Sequence, residues 1–346
     1  MASPIIKKAV VHLLAGELVA LPTETVYGLG ADAANPEAVA RIFTTKGRPA
    51  DHPLIVHLAD AASLAQWAEG IPQGAWDLAA AFWPGPLTLI LKKQPWVPLA
   101  VTGGQDTVGL RVPAHPLTLE LLDAFAAARA PGAAGIAAPS ANRFGRVSPT
   151  TAAHVREELG NKVSMVLDGG PCTVGIESTI VDFSRGMPEI LRPGAISPDD
   201  IARTTGVLPC VRGRAGMGHE THEMPRVSGS LDAHYAPLTP LRQVESGALS
   251  EEITRLVRVG RRVAVLAHSA CALHDVSLVC HWQTAVPEPA AYARELYANL
   301  RALDALGADV ILVEEVPAGS AWQAIGDRLR RATVGSGAVS EEQGNT

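Results

Sequence analysis

Four cations, a set of hydroxyls and two imidazoles are the residues of this chain with the most chemistry to offer, and half of them fall in one early stretch. From Gly16 to Leu58 it reads GELVALPTETVYGLGADAANPEAVARIFTTKGRPADHPLIVHL. Thr23, Glu24 and Thr25 follow an apolar run that ends at Pro22, where a strand opens into a turn. Lys46 and Arg48 leave a helix end, His52 lies in the turn behind them, and His57 sits in a second apolar run, Leu54 to Leu58. Further on, Arg111 lies within the run Thr107 to Pro113, and Arg192 follows Glu189 to Leu191 and precedes Pro193, as Arg48 precedes Pro49. No Walker A sequence accompanies them, and Gly28-Leu29-Gly30 lacks the third glycine of a dinucleotide fingerprint. G-x-S-x-G, H-E-x-x-H and a cysteine with a convincing base are also absent from the sequence. Cations, hydroxyls and backbone amides without a covalent nucleophile suit phosphoryl or nucleotidyl transfer, in which positioning and charge neutralisation carry most of the catalysis.

The elements that must hold these groups can be read around them. Asn35-Pro36-Glu37 supplies an N-cap, a first-turn proline and an early acid, Val39, Ile42 and Phe43 share one helical face, and Gly47 stops the helix. Two strand ends and one helix end can therefore converge. In the strand Thr107 to Pro113 the two-residue period puts Thr107, Gly109 and Arg111 on one face, which is either an anion-facing strand or an edge strand with a solvated arginine. Gly135 to Ala138 is a short buried strand, and Ser140 and Asn142 lie in the turn after it, where free amides can grip an anion. Ser148-Pro149-Thr150 is expected to start a helix running through Leu159, with a second anion-receptive N-terminus. Met165 to Asp168 is a strand closed by two glycines, and Ser178 leads into another. Helices near Asp60 to Glu69, Ala75 to Phe82 and Leu117 to Ala128, with a strand Leu87 to Lys92, complete the scaffold.

With 346 residues, 47% hydrophobic and 18% charged, the chain has the composition of a globular protein of two domains. No apolar run approaches the roughly 20 residues of a membrane helix, and the N-terminus does not read as a signal peptide, so a cytoplasmic location is expected. Formal net charge is -6, which argues against a broad nucleic-acid surface. Cys172, Cys210, Cys271 and Cys280 form no C-x-x-C pair and read as reduced thiols. His219-Glu220-Thr221-His222 fits no zincin spacing. Arg212 to Pro240 has no apolar period and reads as a long linker. After it, strands Leu241 to Val244, Val263 to His268, Ser277 to Cys280 and Val310 to Val313 alternate with helices Glu251 to Val259, Ala290 to Leu306 and Ala321 to Arg331 as a small α/β domain.

The segments PTETVYGLG, KGRPADHPLIVHL, TVGLRVP, APSAN, GIESTIVD, LRPG and HYAP occur in this order, and with them the chain resembles the YrdC-type threonylcarbamoyl-AMP synthases in their long two-domain form. The resemblance implies a twisted, open, mixed α/β sheet with flanking helices over residues 1–205 and a linker or lid over 206–240. A small Rossmann-like α/β domain over 241–335 and a flexible tail over 336–346 follow. It implies conversion of L-threonine, bicarbonate or CO2 and ATP, the last carrying Mg²⁺, to threonylcarbamoyl-AMP and pyrophosphate. The product would feed the tRNA machinery that installs N6-threonylcarbamoyladenosine. Carried over by position, Thr25, His57, Arg111, Ser178 and the backbone at Ala138 fall on the threonine side. Lys46, Arg48, His52, Thr107, Ser140, Asn142, Ser148, Arg192 and Tyr235 fall on the ATP side, with Lys46 and Arg48 as the catalytic pair. Many relatives carry Asn in place of His52, and K-Y-R in place of Leu231-Asp232-Ala233. A related carbamoyl-transfer enzyme of hydrogenase maturation would also need acylphosphatase and zinc-finger segments, and an RNA-binding module would need basic-aromatic interleaving.

Overall fold

The computed structural model describes residues 2–211, 225–229, 231–269 and 281–337. These form two compact units: Met1–Phe144 with Pro149–Ser230, and Gly145–Ser148 with Leu231–Thr346.

The first unit is built on β1 (Val19–Leu21), β2 (Gly28–Asp32), β3 (Ile55–His57), β4 (Leu87–Lys92), β5 (Thr107–Arg111), β6 (Ile136–Ala137), β7 (Met165–Val166), β8 (Thr179–Asp182), β9 (Glu189–Arg192) and β10 (Cys210–Val211). They make one mixed sheet in the order β10-β9-β8-β4-β5-β3-β6-β2-β1-β7. β5 is thus a central strand, antiparallel to β4 and parallel to β3, and Arg111 is buried, which rules out the solvated edge. One face of the sheet carries Leu29, Ala31, Val56, Leu89, Val108, Leu110 and Val181 into the main core. Helix α1 (Pro4–Leu14) packs with the helix Pro116–Arg129 in a second apolar cluster that takes in Val19, Leu21 and Ile136.

Helix α2 (Pro36–Lys46) forms as its sequence dictates. The Asn35 side chain accepts from the amides of Glu37 and Ala38, and Gly47 ends the helix with φ of 63°, a conformation that costs a side chain-bearing residue about 1 kcal/mol. Asp60 likewise caps a short 3₁₀ turn, Ala61–Ser63, ahead of Leu64–Trp67. Two elements lie beyond the sequence reading. β2 is a strand although Gly-Leu-Gly-Ala-Asp has poor strand propensity, because side chains fill the space: a Cβ on Gly30 would meet Ile136 and Leu21 at 2.9 Å. The helix Pro198–Thr205 carries a full capping box from Ser197 and Asp200.

One expectation is corrected. The helix ending at Leu159 starts at Ala152 with Thr151 as its cap, not at Ser148. Pro149 and Thr150 instead hold extended chain, their carbonyls accepting from Tyr27 and Cys172.

In the second unit β11 (Leu241–Val244), β12 (Val263–Ala267), β13 (His281–Thr284) and β14 (Val310–Glu314) form a parallel sheet in the order β11-β14-β12-β13. Its central strands, VAVLA and VILVE, are buried throughout, as a parallel sheet covered on both faces requires. Helices Leu249–Arg258, Pro289–Asp304 and Gln323–Gly335 flank it. The expected strand Ser277 to Cys280, the His219–His222 segment and residues 338–346 lie outside the described residues.

Candidate active site

The strand register of the first unit sorts the candidate residues onto one face. His57 pairs with Arg111 across β3 and β5, Gly109 pairs with Ile55 and with Ile90, and Arg192 pairs with Ile180. By the two-residue period Ser178, Thr88, Arg111, Thr107 and His57 then project to the same side, opposite the main core. Gly109 stands between Thr107 and Arg111 on that face. A Cβ there would meet Ile90 at 3.1 Å, so the glycine keeps the floor of the cleft low between two polar neighbours.

Arg111 is held by two atoms, and its partner Glu24 by a third contact. Its Nη2 donates to Glu24 Oε1 at 2.6 Å, its Nε donates to the Gly85 carbonyl at 3.2 Å, and Glu24 Oε2 accepts from the Ala114 amide at 2.9 Å. Sequence reading singled out Glu24 as part of a polar turn and missed it as Arg111's partner, since nothing in spacing pairs residues so far apart. Thr25 belongs to the same turn, with its hydroxyl 2.8 Å from that of Thr23. His57 is buried, and its Nδ1 has no partner among the described residues. Burial, with Arg111's charge adding to it, pulls the imidazole down to a pKa of about 3, so it stands neutral beside the guanidinium. Ala138 follows β6 and donates its amide to Ile55 O at 3.0 Å.

Next along the face, Ser178 Oγ lies 2.7 Å from Thr88 Oγ1. Arg192 donates from Nη2 to Ser178 Oγ at 3.1 Å, from Nε to Ser178 O at 3.0 Å, and from Nη1 to Ser228 O at 2.9 Å. The short run Pro225–Gly229 lies against this part of the sheet. Val227 packs with Ile90, Ile180 and Leu191, while Gln105 exchanges two hydrogen bonds with the Arg226 backbone. A shallow cleft is lined there by Thr107, Gly109, Ile55 and Ser228.

Lys46 comes from the last turn of α2. Its Nζ donates to Ser140 O at 2.5 Å and to Asn142 O, so the APSAN turn is fastened to the helix end. Burial, followed by the charge of Arg48, drives its pKa well below the usual lysine value. Arg48 donates to Pro53 O at 3.0 Å and lies 5.9 Å over the Phe144 ring, which His52 meets edge-on at 5.4 Å. Phe144 is a further residue that sequence reading passed over. Ser148 and Tyr235 belong to the second unit. Tyr235 is buried there with φ of 60°, stacked on Tyr297 at 5.8 Å and under the Arg328 guanidinium at 5.3 Å.

A buried cationic lane on a mixed sheet, joined in one chain to a parallel α/β unit, defines a class of protein that known sequences share. A family described as "Telomere recombination" matches residues 12–194, and one described as "Threonylcarbamoyl-AMP synthase, C-terminal domain" matches residues 196–334. The chain is 40% identical over 324 residues to the threonylcarbamoyl-AMP synthase of Pyrococcus abyssi, covering 92% of this chain and 91% of that one. It is 39% identical to that of Bacillus subtilis, covering 96% and 94%. A crystal structure of P. abyssi Sua5 complexed with L-threonine superposes with a TM-score of 0.83 at 38% identity, over 96% of this chain and 94% of that one. The chain belongs to the threonylcarbamoyl-AMP synthase family. Among the described residues no helix is long and apolar enough to cross a membrane.

Proposed function

We propose that this chain condenses L-threonine, bicarbonate or CO2 and ATP into threonylcarbamoyl-AMP on the polar face of the first unit's sheet, releasing pyrophosphate. The observation that carries the assignment of parts is the shared face of Arg111, His57, Ser178 and Arg192. Arg111, with a geometry fit for a bidentate grip, would take the threonine carboxylate, and neutral His57, Thr25, the Ala138 backbone and Ser178 would surround the rest of the amino acid. The threonine nitrogen adds to CO2 and loses a proton, giving a carbamate. A carbamate oxygen then attacks the α-phosphorus of ATP as the bond from that phosphorus to the bridging oxygen breaks, and pyrophosphate leaves with the electron pair.

On the nucleotide side, Lys46, Arg48 and Arg192 would neutralise phosphate charge, with Thr107, His52, Ser140, Asn142, Ser148 and Tyr235 around the nucleotide. A polyphosphate beside Lys46 would oppose the desolvation and the Arg48 repulsion that depress its pKa, and so favour its charged form. Mg²⁺ would enter as part of MgATP, held by phosphate oxygens. Residues 206–240 would serve as linker and lid. We place the reaction in the cytoplasm, upstream of the proteins that transfer the threonylcarbamoyl group to adenosine in tRNA.

The test is pyrophosphate release by the purified protein with ATP and Mg²⁺. It should require both L-threonine and bicarbonate, and omission of either should reduce it to background. Release of inorganic phosphate without an adenylate product would overturn the reading.

A further inference from the structure

Three buried polar atoms come together at the carboxyl ends of the second unit's strands, away from every residue used above. Glu314, the last residue of β14, is 0% exposed. Its Oε2 accepts from the amides of His268 and Ser269 at 2.7 and 2.8 Å, with His268 Nδ1 at 2.9 Å but not aligned to bond. Its Oε1 has no aligned partner among the described residues, and the same holds for His268 Nδ1 and Tyr292 Oη. Rings wall the place. Tyr292 and Trp322 meet at 5.5 Å and 76°, and His268 lies 5.9 Å from Trp322 and 6.4 Å from Tyr292. Trp322 and His268 keep part of their surface exposed, so the carboxylate lies beneath a rim of rings.

The position in the fold is one where parallel sheets hold ligands. From β12 the chain goes to β13 on one side, and from β14 it goes to the helix Gln323–Gly335, which packs on β11 at the other, so the two strands part at their carboxyl ends. Charge decides the kind of ligand. Burial raises the Glu314 pKa, but the Ser269 and Ser246 hydroxyls and two amides outweigh it, and the group is held ionised, with no Lys or Arg among them. No Lys or Arg offsets this buried carboxylate, and buried polar atoms of native proteins that lack an aligned partner, as Oε1 does here, call for one. Phosphates carry the wrong sign. A divalent metal wants more carboxylate than one glutamate, and no group of three His, Cys, Asp or Glu side chains gathers among the described residues. An ammonium group satisfies each feature: its charge meets the carboxylate, its N–H donors reach Oε1 and Tyr292 Oη, and its carbon substituents face aromatic rings.

We propose that Glu314, Tyr292, His268 and Trp322 form a binding site for a small organic ammonium ion in the second unit. The test uses the full chain, with methylammonium chloride as the probe and sodium chloride at equal ionic strength as the control. The indole N–H resonance of Trp322, assigned by its loss in Trp322→Phe, is the readout. Methylammonium should shift it saturably and sodium should not, and Glu314→Gln should weaken the titration by tenfold or more. Tyr292→Phe, which keeps the ring and removes only the hydroxyl, should weaken it several-fold, and this variant decides the matter if Glu314→Gln does not fold. Equal responses to the two salts would mean that the place does not select an ammonium ion, and would overturn the proposal. An unchanged titration in Glu314→Gln, or in Tyr292→Phe where that variant decides, would overturn it too.

Discussion

Arg111 and Glu24 are both buried and meet at 2.6 Å, so a ligand carboxylate has to share a guanidinium that is already engaged. Removing the cation outright confuses two effects. Arg111→Ala leaves the buried Glu24 carboxylate with the Ala114 amide but no counter-charge and should cost the fold about 3–5 kcal/mol. Arg111→Lys keeps a positive charge for Glu24 but loses the planar fork. It should fold with a near-normal melting temperature and raise the threonine KM at least about tenfold, with a smaller change for ATP, consistent with about 1.5–3 kcal/mol for a charge-assisted contact. Equal effects on both substrates would contradict the assignment. His57 makes a separate, thermodynamic prediction. The folded protein keeps it neutral down to about pH 3, whereas the unfolded chain protonates it near the ordinary imidazole value of 6.5. Below pH 6.5 the unfolded state therefore binds the extra proton, and the stability present above that pH is progressively lost with acid. Urea unfolding at pH 7 and pH 5 should show the wild type losing about 2 kcal/mol more than His57→Gln across that interval, at about 1.4 kcal/mol per pH unit.

Helix α2 delivers Lys46 and Arg48, so its ends matter to chemistry as much as to folding. Asn35→Ala removes the acceptor for two amides and should lower stability by about 1 kcal/mol, seen as a lower urea midpoint with an unchanged slope. This helix was the most legible element of the chain, because cap, proline, apolar period and glycine stop all agree over a dozen residues. β2 was illegible because Gly28 answers to Ala138 and Leu21 and Gly30 to Ile136 and Leu21, side chains distant in sequence or on a neighbouring strand. The start of the helix at Ala152 was misplaced for a related reason. Ser148-Pro149-Thr150 has the local form of a cap, but Pro149 and Thr150 are drawn into extended chain by hydrogen bonds to Tyr27 and Cys172. At Pro198–Thr205 the signal was present, an S-P-D-D capping box, and went unread. Among site residues, the spacing Thr107, Gly109, Arg111 foretold a common face. The ion pair to Glu24 and the ring of Phe144 under Arg48 required the fold.

Taken as a whole, the molecule carries a formal charge of -6, and the basic residues of its candidate site are folded inward: Lys46, Arg48, Arg111 and Arg192 are all buried. Such a distribution neutralises small anions and offers little to a phosphate backbone, so filter binding of tRNA at physiological salt should show no saturable retention, with or without ATP. Saturable retention would require a basic surface that this charge balance does not suggest. The path of the chain also bears on how such a protein can be cut and recombined. Gly145–Ser148 is counted with the second unit, and within it Arg146 donates to Pro237 O while Arg301 donates to Val147 O. A gene divided after codon 230 would therefore not yield two finished halves. The upstream half would carry away four residues of the other, in the middle of its own sequence, and the downstream half would lack them. Exchange of the second unit between relatives would succeed only if these four codons travelled with it, so the second module is written at two separate places in the reading frame.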